Sequence, residues 1–201
     1  METNTGVGEH GAAMERTPAT YADLEALPEN LVGELIAGVL YASPRPASPH
    51  ALAAFRLGGE LMGPFDRGRG GPGGWLLLFE PELHLGEDVL VPDLAGWRRE
   101  RMPRMPRVVG FTLAPDWLCE VLSPSTRKLD RTAKLPVYAR AGVRHVWLLD
   151  PLACSLEVFR LEASGYALQA THTGLGSVHA EPFEALALDL ATVWQEASEA
   201  R

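Results

Sequence analysis

The apolar positions of this chain fall into short runs broken by proline and glycine, and the runs place the elements. Residues 20–27 read as a short helix, with Thr20 as N-cap and Asp23 three residues on, close to a capping box. Glu34-Leu35-Ile36-Ala37-Gly38-Val39-Leu40-Tyr41 reads as two short strands turning near Gly38. Ser43-Pro44-Arg45-Pro46 is a rigid connection. From Ser48 or Pro49 to about Met62, the positions Leu52, Phe55, Leu57 and Leu61 suit one face of an amphipathic helix. Residues 65–74 are glycine-rich and charged, a loop. Three core strands follow: 75–85, bent near Pro81; 89–97; and 117–122. Between the last two lies a mobile Pro/Arg/Met loop, 98–107. Residues 127–141 read as a helix ending at Gly142, although Pro136 should kink it or delay its start. Residues 145–150 are another apolar strand, 155–161 and 166–171 a hairpin, and 186–199 a closing helix.

The central strands are apolar on both faces, so helices should cover both sides of the sheet. The strand-helix-strand run over 117–150 predicts a crossover between parallel strands. The fold class is therefore α/β: a mixed β-sheet flanked by helices, in a single domain over residues 18–201. Residues 1–17 carry acids and no apolar stretch, which predicts a disordered lead rather than a secretory signal. No apolar run is long enough to span a bilayer. The 201 residues suffice for one sizeable core.

Charge changes this picture more than composition does. The net charge of -8 argues against a nucleic-acid partner. Between Arg98 and Arg144, however, eleven basic residues stand against four acids. That positive bracket suits either a solvated face or a phosphate-facing surface. The two cysteines, Cys119 and Cys154, lack Cys-x-x-Cys spacing and read as small core residues in a reducing cytoplasm.

The candidate chemistry lies in two acids set into apolar strands. Asp93 sits in Val89-Leu90-Val91-Pro92-Asp93-Leu94-Ala95, and Glu120 in Trp117-Leu118-Cys119-Glu120-Val121-Leu122. A buried carboxylate is costly unless it is paired or binds a cation. Two of them, with Lys134 close behind, are what a metal-dependent phosphodiesterase requires. Lys134 also suits a pairing with Asp130 at i, i+4 spacing, and Glu34 an exposed strand edge. One of Glu80 and Glu82 is expected to face the site, without a choice between them. His50 and His84 have no evident partners and read as solvated or core residues.

An ordered series of motifs then becomes specific. Glu34-Leu35-Ile36-x-Gly38-Val39-Leu40-Tyr41, Pro92-Asp93-Leu94, Glu120-Val121-Leu122-Ser123-Pro124-Ser125-Thr126, Asp130-Arg131-x-x-Lys134 and Tyr138-x-x-Ala141-Gly142-Val143-x-x-x-Trp147-x-x-Asp150-Pro151 occur in this order. The series resembles the Uma2 family of restriction-endonuclease-like proteins, within the PD-(D/E)xK nuclease superfamily. The resemblance implies a restriction-endonuclease-like fold and a metal-dependent endonuclease acting on DNA. It implies Asp93, Glu120, Lys134 and Glu34 as catalytic residues, with Asp93 and Glu120 as ligands of Mg²⁺ or Mn²⁺. The superfamily lysine two residues after the acid is replaced here by Leu122, and Lys134 on the next helix takes its place. A homodimer is expected, with Trp97, Phe111 and Trp117 as an apolar patch. The alternative is a catalytically inactive nuclease-fold module that binds nucleic acid or protein.

Overall fold

The computed structural model describes residues 17–194; most of the expected N-terminal lead and the end of the closing helix lie outside them. Helix α1 (Tyr21–Glu25) carries the expected capping box between Thr20 and Asp23. Strands β1 (Leu31–Ile36) and β2 (Val39–Pro44) form a hairpin, with positive φ at both Ala37 and Gly38. That is the conformation a two-residue type I′ turn demands. Helix α2 (Ser48–Leu61) runs into a π-turn at Met62–Asp66. Then come β3 (Trp75–Phe79), β4 (Glu82–Leu85), β5 (Asp88–Leu90), β6 (Leu94–Arg98), β7 (Gly110–Phe111) and β8 (Trp117–Val121). Helix α3 (Arg127–Leu129), a second π-turn (Asp130–Lys134) and α4 (Leu135–Arg140) form one continuous rod. It is followed by β9 (His145–Asp150), β10 (Ser155–Glu162), β11 (Gly165–Thr173), the short pair β12 (Ser177–Val178) and β13 (Leu188–Asp189), and α5 (Leu190–Trp194).

These strands make two principal sheets rather than one. The larger has the order β11-β10-β9-β8-β6-β3, and the smaller β2-β1-β5-β4-β7. Strands β8 and β9 are parallel, as the crossover reading requires. The expected strands 75–85 and 89–97 are each broken, and each passes from one sheet to the other at its break. The breaks fall at Glu80-Pro81 and at Val91-Pro92-Asp93. A proline has no N–H to give to a ladder, so pairing stops there and the chain is free to change sheets. The two crossings lie side by side, joined by the Glu80 amide donating to the Asp93 carbonyl at 3.0 Å.

Two apolar cores result. Helices α2 and α5 cover one face of the large sheet, where Trp75, Trp117, Trp147 and Trp194 pack with Phe65 and Phe183. Helix α4 and the small sheet cover the other face, around Trp97, Leu118, Leu122 and Tyr138. On α2 the buried positions are Ala53, Ala54, Leu57, Gly58 and Leu61, whereas Phe55 is 70% exposed, contrary to the sequence expectation. The mid-helix Gly58 has a reason: a Cβ there would lie 2.3 Å from the Phe79 ring. The apolar patch expected from Trp97, Phe111 and Trp117 does not form. All three are buried, and Trp97 stacks on Phe111 at 5.0 Å. Pro136 is accommodated by the π-turn before it, in which the Leu135 amide reaches back to the Asp130 carbonyl. The widened turn relieves the clash and the missing donor that proline brings to a regular helix.

Candidate active site

The seam between the two sheets collects the acids. Strand β6 begins at Leu94, paired with Cys119 of β8. Continuing that register sets Asp93 opposite Glu120. Because Pro92 ends the ladder, the Val121 amide takes a side-chain acceptor instead, Asp93 Oδ2 at 2.7 Å. The other oxygen, Oδ1, lies 2.5 Å from Nε2 of His50 on α2.

Glu120 points to the opposite core from its neighbours Cys119 and Val121, between Leu118 and Leu122. Strand alternation alone explains that placement. There the 127–140 rod presents Asp130, Lys134 and Tyr138 at i, i+4 and i+8. The Tyr138 hydroxyl donates to Glu120 Oε1 at 2.5 Å, and Lys134 Nζ reaches the same oxygen at 3.2 Å. Lys134 Nζ also lies 2.8 Å from Glu34 Oε1 and 3.3 Å from Asp130 Oδ1. Glu34 Oε1 in turn accepts the Val91 amide at 2.9 Å, beside the second crossing. The displaced lysine therefore does return to Glu120, and it pairs with Asp130 as well.

All four of these charged groups are buried: Glu34 is 8% exposed, Glu120 3%, Asp130 2% and Lys134 5%. Burial raises the Glu120 carboxyl well above its usual range. Lys134 opposes that shift, and the nearby Asp130, Glu34 and Asp93 carboxylates add to it. Asp130 is raised too, by burial against the same lysine. Burial would lower Lys134, but Glu120, Glu34 and Asp130 outweigh it and hold the ammonium charged. Tyr138 is raised well above the usual phenol range by burial and by the Glu120 charge, so its hydroxyl stays a donor.

A cleft of about 370 Å³ opens over this cluster. Glu34, Glu80, Asp93, Glu120 and Asp130 border it, against the fixed cations Lys134 and Arg45. Glu80, not Glu82, is the second-strand acid at the cleft. Glu82 accepts instead from Tyr21 at 2.8 Å and lies 2.7 Å from His84. The cleft is thus short of positive charge and lined with oxygen donors, the chemistry that suits a hard divalent cation. Among the described residues, no three His, Cys, Asp or Glu side chains are placed to enclose a metal ion by themselves.

His50, Asp130 and Tyr138 are the site residues that sequence reasoning did not assign. The helical stripe Asp130-x-x-x-Lys134-x-x-x-Tyr138 carried a signal for two of them. For His50, 43 residues from Asp93, no local pattern exists. The basic bracket is largely engaged elsewhere. Arg99, Arg101, Arg127, Arg131 and Arg140 pair with Asp66, Asp116, Asp150, Glu157 and Asp88. Arg98 lies over the Trp75 ring at 4.3 Å.

A mixed sheet flanked by helices, with two acids meeting at a strand seam and a lysine returning from the next helix, defines a restriction-endonuclease-like domain. The chain belongs to the Uma2 family, described as "Putative restriction endonuclease", whose model matches residues 18–191. It is similar to a solved structure described as a putative nuclease belonging to DUF820 from Anabaena variabilis ATCC 29413. The TM-score is 0.70, with 23% identity over 90% of this chain and 99% of that one. No curated protein matches the chain. Family and fold together support a nuclease, an enzyme that hydrolyses nucleic acid. Among the described residues no helix is long and apolar enough to cross a membrane.

Proposed function

We propose that this protein is an endonuclease that hydrolyses DNA phosphodiester bonds with Mg²⁺ or Mn²⁺ held by Asp93 and Glu120. The observation that carries the reading is the approach of Lys134 to Glu120 Oε1, in a cleft that Asp93 also borders. Two carboxylates with water suit Mg²⁺, which keeps much of its hydration shell. Asp93 and Glu120 retain lone pairs beyond those used by their present partners. When bound, the ion lowers the pKa of a water and polarises a phosphate oxygen.

The protein's own groups do the rest. Lys134, kept protonated, offsets negative charge gathering on the phosphate, an electrostatic role that needs no reorganisation. Glu34 holds that ammonium from the small sheet. Tyr138 holds Oε1 of Glu120, which leaves the rest of that carboxylate to the cleft. His50 and the Val121 amide fix the Asp93 carboxylate from two sides. The free thiols of Cys119 and Cys154 suit a reducing compartment such as the cytoplasm.

Plasmid cleavage tests the proposal. Wild type should nick or linearise DNA with Mg²⁺ or Mn²⁺ and not with EDTA. Asp93→Ala and Glu120→Ala should each lose about 10²-fold or more. Equal cleavage by all three proteins overturns the assignment. No cleavage by any of them, with no divalent ion detected by calorimetry, leaves the inactive binding module.

A further inference from the structure

We propose that a second cavity beside the carboxylate cleft is a subsite for one unpaired nucleotide of the DNA strand, with Lys128 taking its phosphate and Tyr41 its base. The cavity, about 380 Å³, lies between β2 and the 127–140 rod. Ser43, Ser125 and Thr126 line both it and the cleft, so the two adjoin along these residues. Its volume is in the range that holds a small ligand.

The walls supply the groups a nucleotide needs. Tyr41 stands directly opposite Glu34 in the β1–β2 register, so the two side chains share a face of the small sheet. An aromatic ring is therefore set one position from a residue that holds Lys134. On the facing wall Lys128 is exposed and has no carboxylate partner among the described residues, unlike most bases of its segment. Between them the hydroxyls of Ser123, Ser125 and Thr126 hold one another, each contact to Ser123 being 2.9 Å. Ser125 and Thr126 thereby shape the rim that the cavity shares with the cleft. This accounts for the Ser123-Pro124-Ser125-Thr126 motif, which the metal chemistry leaves without a role.

The cavity also selects the form of the substrate. A paired base is stacked on both faces and bonded at its edge, so it can reach Tyr41 only after leaving the stack. A single strand, a flap or a gap offers such a base at no unpairing cost. Stacking on an aromatic wall with a cation on the backbone is the usual way unpaired strands are held. The position beside the scissile phosphate rests on the nuclease reading, whereas occupancy of the cavity can be tested without hydrolysis.

The test is fluorescence anisotropy with the full chain in EDTA, using a labelled 12-nucleotide single strand and its duplex. Wild type should bind the single strand more tightly. Tyr41→Ala should weaken that binding roughly tenfold, with Tyr41→Phe close to wild type. Lys128→Glu, a surface change that leaves the fold intact, should weaken it and reduce the salt slope by about 0.7. Equal or tighter duplex binding, or Lys128→Glu and Tyr41→Ala both matching wild type, overturns the subsite. If plasmid cleavage is absent while the single-strand preference and both losses persist, the hydrolytic reading fails and the subsite stands.

Discussion

The two faces of strand β8 bury equally and are held together by different physics. Trp117, Cys119 and Val121 enter the core under α2 and α5, each at most 1% exposed. There Phe183 sits among aromatic rings, with centroids 4.6 Å from Phe65, 4.8 Å from Trp75 and 4.9 Å from Trp117. That side is closed by shape and apolar area. The opposite face puts Glu120 between Leu118 and Leu122, and closes only because Lys134, Tyr138, Asp130 and Glu34 converge around it. Apolar packing stabilises wherever area is removed from water. The charged cluster stabilises only while its charges balance, and it carries more carboxylates than cations. The imbalance is local to the candidate active site, which is where a protein can be expected to give up stability for function.

Three substitutions probe this difference. The largest effect belongs to the apolar face: Trp117→Ala should cost about 3–5 kcal/mol in chemical denaturation, because a fully buried ring leaves a cavity. A loss under 1 kcal/mol would mean the aromatic cluster is not the main core. Next is Lys134→Met, nearly isosteric, which leaves three buried carboxylates without their common cation. It should cost about 3 kcal/mol, and a neutral result would show that the cluster does not depend on this charge.

The smallest effect has the opposite sign. The Glu120 carboxyl is raised in the folded state, so the fold binds its proton more tightly than the unfolded chain does. The stability it contributes is therefore full below the unfolded value of about 4.3 and is lost as pH rises through the raised folded value. Glu120→Gln removes that loss. Its melting temperature should match wild type near pH 4 and exceed it progressively toward pH 8, while cleavage is abolished. A gap that narrows with rising pH would contradict the charge imbalance.

Much of this arrangement was legible along the chain. The capping box at Thr20 and Asp23, the hairpin at Ala37-Gly38, helix α2 and the parallel pair β8–β9 follow from signals a few residues long. So did the acids: a carboxylate between Cys119 and Val121 stands out in any apolar run. Strand alternation even made it predictable that Glu120 faces away from both neighbours. Less legible was the break of two expected strands. Pro81 announced a bend, whereas 89–97 read as one strand through Pro92; a missing N–H says only that a ladder stops, not which sheet the chain joins next.

What the sequence determined by itself was therefore the kind and order of most elements, and where the acids and the lysine lie along them, because periodicity, capping and proline chemistry act locally; the expected helix over 186–199 instead opens as strand β13 and starts at Leu190. Tertiary structure alone decided which charges meet. It brought His50 to Asp93 and Glu34 to Lys134, turned Glu80 rather than Glu82 to the cleft, and engaged most of the basic bracket in internal ion pairs. Those contacts join residues far apart in the chain, and their partners are chosen by sheet register and helix packing, which no local pattern encodes.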